Sequence, residues 1–308
     1  QVLFSQGDFA QAKTRCEEAL PLLPPNTNPA LRALLLNTLG DLHRILGDFE
    51  AARTAYETMR TLHTDLDDTW GLARAFNSLG ILAGTQGDYP TAETHFRQSL
   101  GHFRAIGDRS GTARILHNLS ILAYLKQDYP QTRILREECL AICKEIGFQW
   151  GITSTLKHLG DVEKAMGEFP AARQHYEQSL SSARQMGDPK SIVYALDSLG
   201  NLALRQHDLP LARACLSEAF QTALDIGLTP VAVDTLCGLA EILGEAGDPA
   251  RAVELAAFVI AAPGVDEQTR ARGEQVQALY LPRLDPEEAE AARQKGRKSQ
   301  LQDFVSAH

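Results

Sequence analysis

Long apolar runs are scarce in this sequence of 308 residues. The longest runs, such as Leu255 to Ala262, have about eight residues, whereas a helix that spans a bilayer needs about 20. We therefore expect no membrane span. Basic charge is scarce too, because 30 Lys and Arg residues stand against 39 Asp and Glu residues, giving a net charge of −9. Direct binding to nucleic acid or to an anionic membrane surface is therefore not expected.

Cysteine and catalytic motifs are also sparse. The five cysteines include no Cys-x-x-Cys pair, which favours reduced, buried thiols and a cytoplasmic location. The sequence has no phosphate-binding loop, no Gly-x-Ser-x-Gly motif and no His-Glu-x-x-His motif. We therefore expect a chain that is not an enzyme and that binds neither a metal nor a cofactor.

A repeat with a period of 40 residues dominates what is present. An acidic residue recurs at Asp8, Asp48, Asp88, Asp128, Glu168, Asp208 and Asp248. A leucine followed by a small residue recurs with the same period, and its small members are Gly40, Gly80, Ser120, Gly160, Gly200 and Ala240. Such self-similarity is typical of repeat architectures.

Each repeat has the features of a helical hairpin. The segment from Ala30 to Leu46 has apolar residues at helical spacing, which predicts a first helix, A. Gly47 suits the left-handed residue that ends a helix, and Asp48 suits the N-cap of a second helix, B. The small residue at position 40 would let the two helices approach closely. The fourth repeat departs from the pattern at Gln127, Thr132 and Arg136, where we expect looser packing.

The succession Leu-Gly, Gly-Asp-aromatic and Ala resembles the tetratricopeptide repeat. It stands as Asn-Thr-Leu-Gly (37–40), Gly-Asp-Phe (47–49), Ala52 and Tyr56. Propeller blades and HEAT or armadillo units have similar lengths, but strand alternation is missing. The resemblance implies an all-α fold, a right-handed superhelical solenoid of antiparallel helix pairs. We expect the array over residues 1–264, with an incomplete first repeat, and capping helices over 265–308.

The C-terminal segment has a second resemblance. Leu-Asp-Pro-Glu-Glu-Ala-Glu-Ala-Ala-Arg-Gln-Lys-Gly-Arg (284–297) and the following Ser-Gln-Leu-Gln-Asp-Phe-Val-Ser-Ala (299–307) look like the end of bacterial STAND signal-transduction ATPases. In that family an ATPase domain precedes a tetratricopeptide sensor. The resemblance implies that this chain is the sensor and that an ATPase domain lies upstream in the full-length protein.

The resemblance places the binding groove on the A helices. Its inward positions, transferred repeat by repeat, are Arg74, Asn77, Arg114, His117, Tyr124, Lys157, Asp161, Lys164, Tyr194, Asp197, Asn201 and Arg205. These positions include the cations Arg74, Arg114, Lys157 and Lys164, in a chain with net negative charge. This alignment indicates an anionic ligand or an acidic peptide. Trp70 and Trp150 stand at equivalent places before two of the A helices, where we expect packing between neighbouring repeats.

Two functions remain open at this stage. The first is the sensor of a STAND-type regulator that binds a protein, a peptide or a small-molecule effector in the groove. The alternative is a free-standing scaffold or adaptor that binds partner peptides. The coding sequence upstream of Gln1 discriminates between them.

Overall fold

The computed structural model describes residues 6–23 and 28–304. These residues form an all-α structure without strands. Its helices are α1 (Gln6–Leu22), α2 (Pro29–Ile45), α3 (Phe49–Asp65), α4 (Thr69–Thr85), α5 (Tyr89–Ala105), α6 (Arg109–Leu125), α7 (Tyr129–Glu145), α8 (Gln149–Met166), α9 (Phe169–Met186), α10 (Pro189–Arg205), α11 (Leu209–Asp225), α12 (Thr229–Glu245), α13 (Pro249–Ala261), α14 (Glu267–Tyr280) and α15 (Pro286–Lys298). Short 3-10 turns follow at Leu281–Arg283 and Leu301–Phe304.

The chain divides into two compact units, Gln1–Gly147 and Phe148–His308. In the first unit the hairpins are α2–α3, α4–α5 and α6–α7, preceded by α1. In the second unit they are α8–α9, α10–α11 and α12–α13. The first member of each hairpin is an A helix and the second is a B helix. The predicted all-α solenoid of helix pairs is therefore confirmed. Within 6–23 and 28–304, no helix is both long and apolar enough to cross a bilayer.

The repeated aspartate starts the B helices α3, α5, α7, α11 and α13 as predicted, whereas Asp8 lies inside α1 and Glu168 makes no side-chain cap hydrogen bond at α9. The carboxylate of Asp48 accepts the backbone N–H of Ala51 at 3.2 Å, which provides a partner for one of the free donors in the first turn of α3. Gly47 before it has φ of 84°, a value that glycine adopts without strain. Gln127 has φ of 60° at the equivalent place. The turn therefore keeps its left-handed residue where the sequence has lost the glycine.

The small residue of the A helix contacts the large residue of the B helix. A Cβ atom added to Gly160 would lie 2.5 Å from the ring of Tyr176. Gly40 faces Tyr56 and Gly80 faces Phe96 in the same way. All three aromatic residues are buried. The close approach predicted for these positions is confirmed.

The fourth repeat replaces this contact with a polar one. Arg136 occupies the position of Tyr56 and Tyr176, and it is 3% exposed. Ser120 replaces the glycine, and its hydroxyl donates to the carbonyl of His117 at 2.6 Å. A buried cation therefore lies where the second, third, fifth and sixth repeats place a ring or a leucine.

The C-terminal helices pack on α13. Helix α15 lies against α13, and Gly296 approaches the backbone of Glu254 so closely that a side chain there would overlap the Glu254 carbonyl. Phe304 is fully buried, with its ring centroid 4.9 Å from that of Phe258. Asp285 caps α15 with a capping box, in which Glu288 is the reciprocal partner. The division at residue 264 stays a prediction.

Candidate binding faces of the two units

The A helices of the first unit present a row of side-chain amides. Asn118 donates from Nδ2 to Oδ1 of Asn77 at 2.9 Å. One repeat earlier, the Ser78 hydroxyl donates to Oδ1 of Asn37 at 3.1 Å. We define the first-unit A face by Asn37, Asp41, Asn77, His117, Asn118, Ile121, Tyr124 and Leu125. These hydrogen bonds orient polar groups between neighbouring A helices without introducing a net positive charge.

His117 contacts the buried arginine of the fourth repeat. Its Nδ1 lies 2.7 Å from Nη1 of Arg136. A guanidinium has only donors, so Nδ1 of His117 accepts and the proton of the neutral ring is on Nε2. His117, which the sequence assigned to ligand binding, therefore also stabilises the fourth repeat through its contact with Arg136.

The remaining part of the first-unit A face is apolar. Ile121 is 40% exposed and Leu125 is 52% exposed. Tyr124, which the sequence assigned to the groove, is likewise exposed and makes an edge contact with Tyr129 at 5.6 Å between centroids. These side chains offer contact area to a partner but no ionic recognition.

Two of the predicted groove cations, Arg74 and Arg114, pack on aromatic rings of the first unit. The guanidinium carbon of Arg74 lies 4.8 Å from the centroid of Trp70, and that of Arg114 lies 5.5 Å from the centroid of Phe103. Such cation–π contacts favour the charged side chain in a fixed place. Trp70 itself donates from Nε1 to Asp108 at 3.2 Å, a contact between neighbouring repeats. Arg74 and Arg114 therefore already have partners in the first unit.

A cleft of about 410 Å³ also lies in the first unit, between α5 and α7. Its floor contains Leu116 and Leu119. Arg104 is paired with Glu138 at 2.5 Å, and Lys126 is paired with Glu93 at 2.5 Å. These rim charges neutralise one another, so the cleft offers little ionic selectivity.

The second unit concentrates charge on its A helices. Lys157, Asp161 and Lys164 share one side of α8 by their helical spacing, and Asp197, Asn201 and Arg205 do so on α10. We call these six residues, with Asp234 and Glu241 of α12, the second-unit A face. Tyr194, the twelfth predicted site residue, lies one turn before Asp197 on α10 and is 38% exposed.

Asp161 is the anchored acid of this face. It accepts from Nζ of Lys157 at 2.9 Å and from the hydroxyl of Tyr176 at 2.8 Å. Burial alone would raise the pKa of the Asp161 carboxyl, but Lys157 and Lys164 outweigh burial and lower it. Asp41 accepts from Tyr56 at 2.8 Å in the equivalent place of the first unit. Lys157 and Asp161 thus form an internal ion pair.

Lys164 is a desolvated cation at the end of α8. Its Nζ lies 6.0 Å from the ring centroid of Tyr176. Within the described residues, it makes no hydrogen bond and no ion pair with any side chain. Burial lowers the pKa of Lys164, against the attraction of Asp161, and repulsion from Lys157 and Arg205 contributes in the same direction as burial. Lys164 therefore lacks the close anion that would favour its charged form.

Asp197 is the opposite case, a desolvated carboxylate without a close cation. Its side chain accepts only one long hydrogen bond in the described structure, from the hydroxyl of Thr235 at 3.4 Å. Burial and repulsion from Asp234 raise the pKa of Asp197 to about 6, against the attraction of Arg272, Lys157 and Lys164. The carboxylate is mostly ionised near neutral pH, and its charge is costly there.

Arg272 of α14 is the residue that the sequence reasoning missed. It donates to the side chain of Asn201 and lies 3.5 Å from carboxylate oxygens of both Asp234 and Glu241. Arg272 is partly buried. Burial alone would lower its pKa, but Asp234 and Glu241 outweigh burial and raise that pKa. Arg272 neutralises the acids of α12. Among the described residues, Asp197, Lys164 and Arg205 are then the charged groups of this face without an ion-pair partner, and we call them its open charges.

Two further features of the described residues concern metal ligation and the reactivity of the thiols. No group of three His, Cys, Asp or Glu residues there could coordinate an ion. Burial raises the pKa of the Cys215 thiol to about 11 and that of Cys237 to about 12, so these thiols are protonated and inert near neutral pH.

Comparison with known proteins identifies the repeats. A family model described as tetratricopeptide repeat matches residues 30–105, 71–145 and 111–185, and a second model of the same description matches residues 198–266. The chain belongs to the tetratricopeptide repeat family. The A faces of the two units are therefore faces of tetratricopeptide repeats, as the sequence predicted.

Solved structures show the same fold at low identity. The STAND protein PH0952 from Pyrococcus horikoshii, which has a tetratricopeptide repeat sensor, superposes with a TM-score of 0.66 at 13% identity and matches 94% of this chain and 42% of its own. BtubC from P. vanneervenii gives a TM-score of 0.63 at 17% identity over 72% of this chain and 91% of its own. A Rap protein complexed with competence and sporulation factor gives a TM-score of 0.61 at 16% identity over 97% of this chain and 84% of its own. No curated protein matches the sequence.

Proposed function

We propose that this tetratricopeptide repeat chain is the ligand-binding sensor of a STAND-type signal-transduction ATPase. The observation that supports it best is the second-unit A face, where Lys164, Arg205 and Asp197 are held on neighbouring A helices without ionic partners among the described residues. A folded chain does not benefit from such desolvated charges. A protein, a peptide or a small effector that supplies the opposite charges would benefit from them.

The likeness to PH0952 supports the regulatory part of the proposal. This chain matches 42% of that protein, whose name includes both a STAND ATPase and a tetratricopeptide sensor. In the proposed arrangement, ligand binding on the A faces changes the state of an ATPase domain that precedes Gln1. The chain itself contributes recognition, in the cytoplasm, without contacting nucleic acid or membrane.

The coding sequence upstream of Gln1 tests the regulatory role. We expect an open reading frame that encodes a phosphate-binding loop, because nucleotide hydrolysis needs a backbone cradle for the phosphates. In the full-length protein, Lys164→Glu should then change the rate of ATP hydrolysis, whereas Arg213→Glu on the B helix α11 should not. A start codon within a few residues of Gln1 would contradict the sensor role.

The second candidate is a free-standing scaffold that binds partner peptides. A putative kinesin light chain with TPR-like repeats favours it, because 98% of that chain matches 65% of this one with a TM-score of 0.56. Both candidates use the same A faces, so the upstream sequence separates them while the binding site remains in common.

A further inference from the structure

The open charges of the second-unit A face have a pattern once the internal pairs are set aside. Lys157 pairs with Asp161 at 2.9 Å. Arg272 lies 3.5 Å from both Asp234 and Glu241. What remains is a pair of cations, Lys164 and Arg205, and the single anion Asp197. The face is therefore suited to a ligand that has a negative and a positive group, rather than to a purely anionic one.

The two kinds of open charge are separated along the helix. Asp197 and Arg205 are eight residues apart on α10, which places their Cα atoms about 12 Å apart at the rise of an α-helix. Lys164, near the end of α8, interacts electrostatically with both of them. An extended chain of three residues spans about 10 Å. This length lets one terminus reach Asp197 while the other reaches Lys164 and Arg205.

We propose that the second-unit A face binds a short peptide of three to four residues with both termini free, its carboxylate between Lys164 and Arg205 and its ammonium against Asp197. This inference rests on the proposed function and names the ligand class of the same site. Nearby polar groups add recognition of the peptide backbone. The exposed ring of Tyr194 lies one turn before Asp197, and Asn201 lies between the two charged ends.

An acidic peptide, which the sequence alone suggested, fits this face less well. A second carboxylate near Asp197 would meet the repulsion that Asp234 already exerts there. An ammonium at the same place would instead supply the cation that Asp197 lacks. The negative charge at Asp197 therefore favours a zwitterionic ligand over an acidic one.

Calorimetric titration of the 308-residue chain with triglycine tests this assignment. Near pH 7.5, well above the pKa of about 6 at Asp197, triglycine should bind saturably. N-acetyl-triglycine lacks the ammonium and triglycine amide lacks the carboxylate, so each should bind about tenfold more weakly. These ligand changes leave the protein untouched, so they cannot be confused with a folding defect.

Protein variants assign each charge to its residue. Lys164→Met and Asp197→Asn should each weaken triglycine about tenfold, whereas Lys190→Met and Asp225→Asn, exposed residues of the same unit, should have no effect. In the Asp197→Asn variant, acetylation of the peptide should cause no further loss, because its partner is already gone. If acetylation weakens peptide binding equally in the wild type and in the Asp197→Asn variant, the assignment is overturned.

The pH dependence is a further readout. The charged groups that act on Asp197 are Lys157 and Lys164 of α8, Asp234 of α12 and Arg272 of α14. As the pH falls through about 6, the Asp197 carboxylate gains a proton and triglycine should bind more weakly. Triglycine amide, which has only the ammonium, should show the same loss, while N-acetyl-triglycine should not.

Failure of this inference is distinguishable from failure of the sensor role. If neither triglycine nor its blocked forms bind, or if all three bind equally, the zwitterionic peptide site is refuted. A phosphate-binding loop upstream and a changed ATPase rate in Lys164→Glu would then still support the sensor. Binding of triglycine as expected, with no ATPase upstream, would support the site and refute the sensor.

Discussion

The charged Asp197 carboxylate lowers the stability of the fold, so its replacement by a neutral residue should increase the free energy of unfolding. Its pKa of about 6 in the folded chain lies above the ordinary value of 3.8, so the folded state binds the proton more tightly than the unfolded state. The stability that this proton contributes is complete below the unfolded pKa of 3.8 and is lost as the pH rises through about 6. The native carboxylate therefore destabilises the fold at neutral pH.

We expect Asp197→Asn to raise the free energy of unfolding at about pH 8 by roughly 1–3 kcal/mol, because the amide cannot ionise. At about pH 3, below the unfolded pKa of 3.8, the same change should have little effect, since the carboxyl is mostly protonated in both states. Denaturant titrations of the variant and the wild type at the two pH values measure the difference. Equal stability at both pH values would mean that the carboxylate is well solvated. A variant that gains stability and loses triglycine binding would show that this charge is retained for binding.

At the scale of helices, the close contact between A and B helices depends on glycine. The ring of Tyr176 leaves no room for a Cβ atom at Gly160, whereas nothing lies within 4 Å of a Cβ atom added at Gly101. We expect Gly160→Leu to destabilise the chain by roughly 1–3 kcal/mol through overpacking. Gly101→Ala should instead stabilise it by about 0.5–1 kcal/mol, because alanine loses less entropy in a helix. Thermal denaturation followed by circular dichroism compares them, and similar shifts for both variants would refute the packing contact.

The C-terminal segment should stabilise the second unit through Phe304. This ring is fully buried against Phe258 and lies 5.3 Å from the guanidinium carbon of Arg251. Phe304→Ala should lower the free energy of unfolding of that unit by about 3–5 kcal/mol. Leu279→Ala, at a side chain that is 53% exposed, should change it by less than about 0.5 kcal/mol. A Phe304→Ala variant as stable as the wild type would mean that the segment does not contribute to the core.

Helix boundaries and the faces of the helices could be predicted from the sequence because both follow the period of 40 residues. Once Gly47, Asp48 and Gly40 are assigned in one repeat, the equivalent residues follow in the next. The same counting placed Lys157, Asp161 and Lys164 on one side of α8. It could not show that Arg74 packs on Trp70, although the spacing of four residues on one helix allows that contact.

Arg272 lies on α14, whose inward-facing residues cannot be predicted from the period of 40 residues. Helix α13 has 13 residues, whereas α11 has 17, so the helix that follows is out of register with the repeats. Counting from the Leu-Gly pair therefore cannot assign a face to α14. The contact of Arg272 with Asn201, 71 positions earlier in the chain, depends on how α14 packs, which no local pattern encodes. Without this arginine, the sequence could not show that Asp234 and Glu241 have a cationic partner.

For the whole molecule, the two units have different A faces. The first combines an amide row, at Asn77 and Asn118, with the exposed apolar side chains of Ile121 and Leu125. The second has the open charges of Lys164, Arg205 and Asp197. We expect binding that depends on ionic strength to reside in the second unit, because exposed and half-buried charges are screened by salt.

The central claim is that the partner binds on the A helices of the second unit, and a comparison of paired charge reversals tests it most directly. Lys164→Glu with Arg205→Glu changes this face, whereas Arg173→Glu with Arg213→Glu makes the same change in net charge on the B helices α9 and α11. After circular dichroism has shown that both variants fold, affinity for the native partner is measured by calorimetry at low and high salt. The A-helix variant should bind at least about tenfold more weakly, with the wild-type affinity falling as salt increases. Equal affinity of the two variants would contradict the claim and place the site elsewhere on the chain.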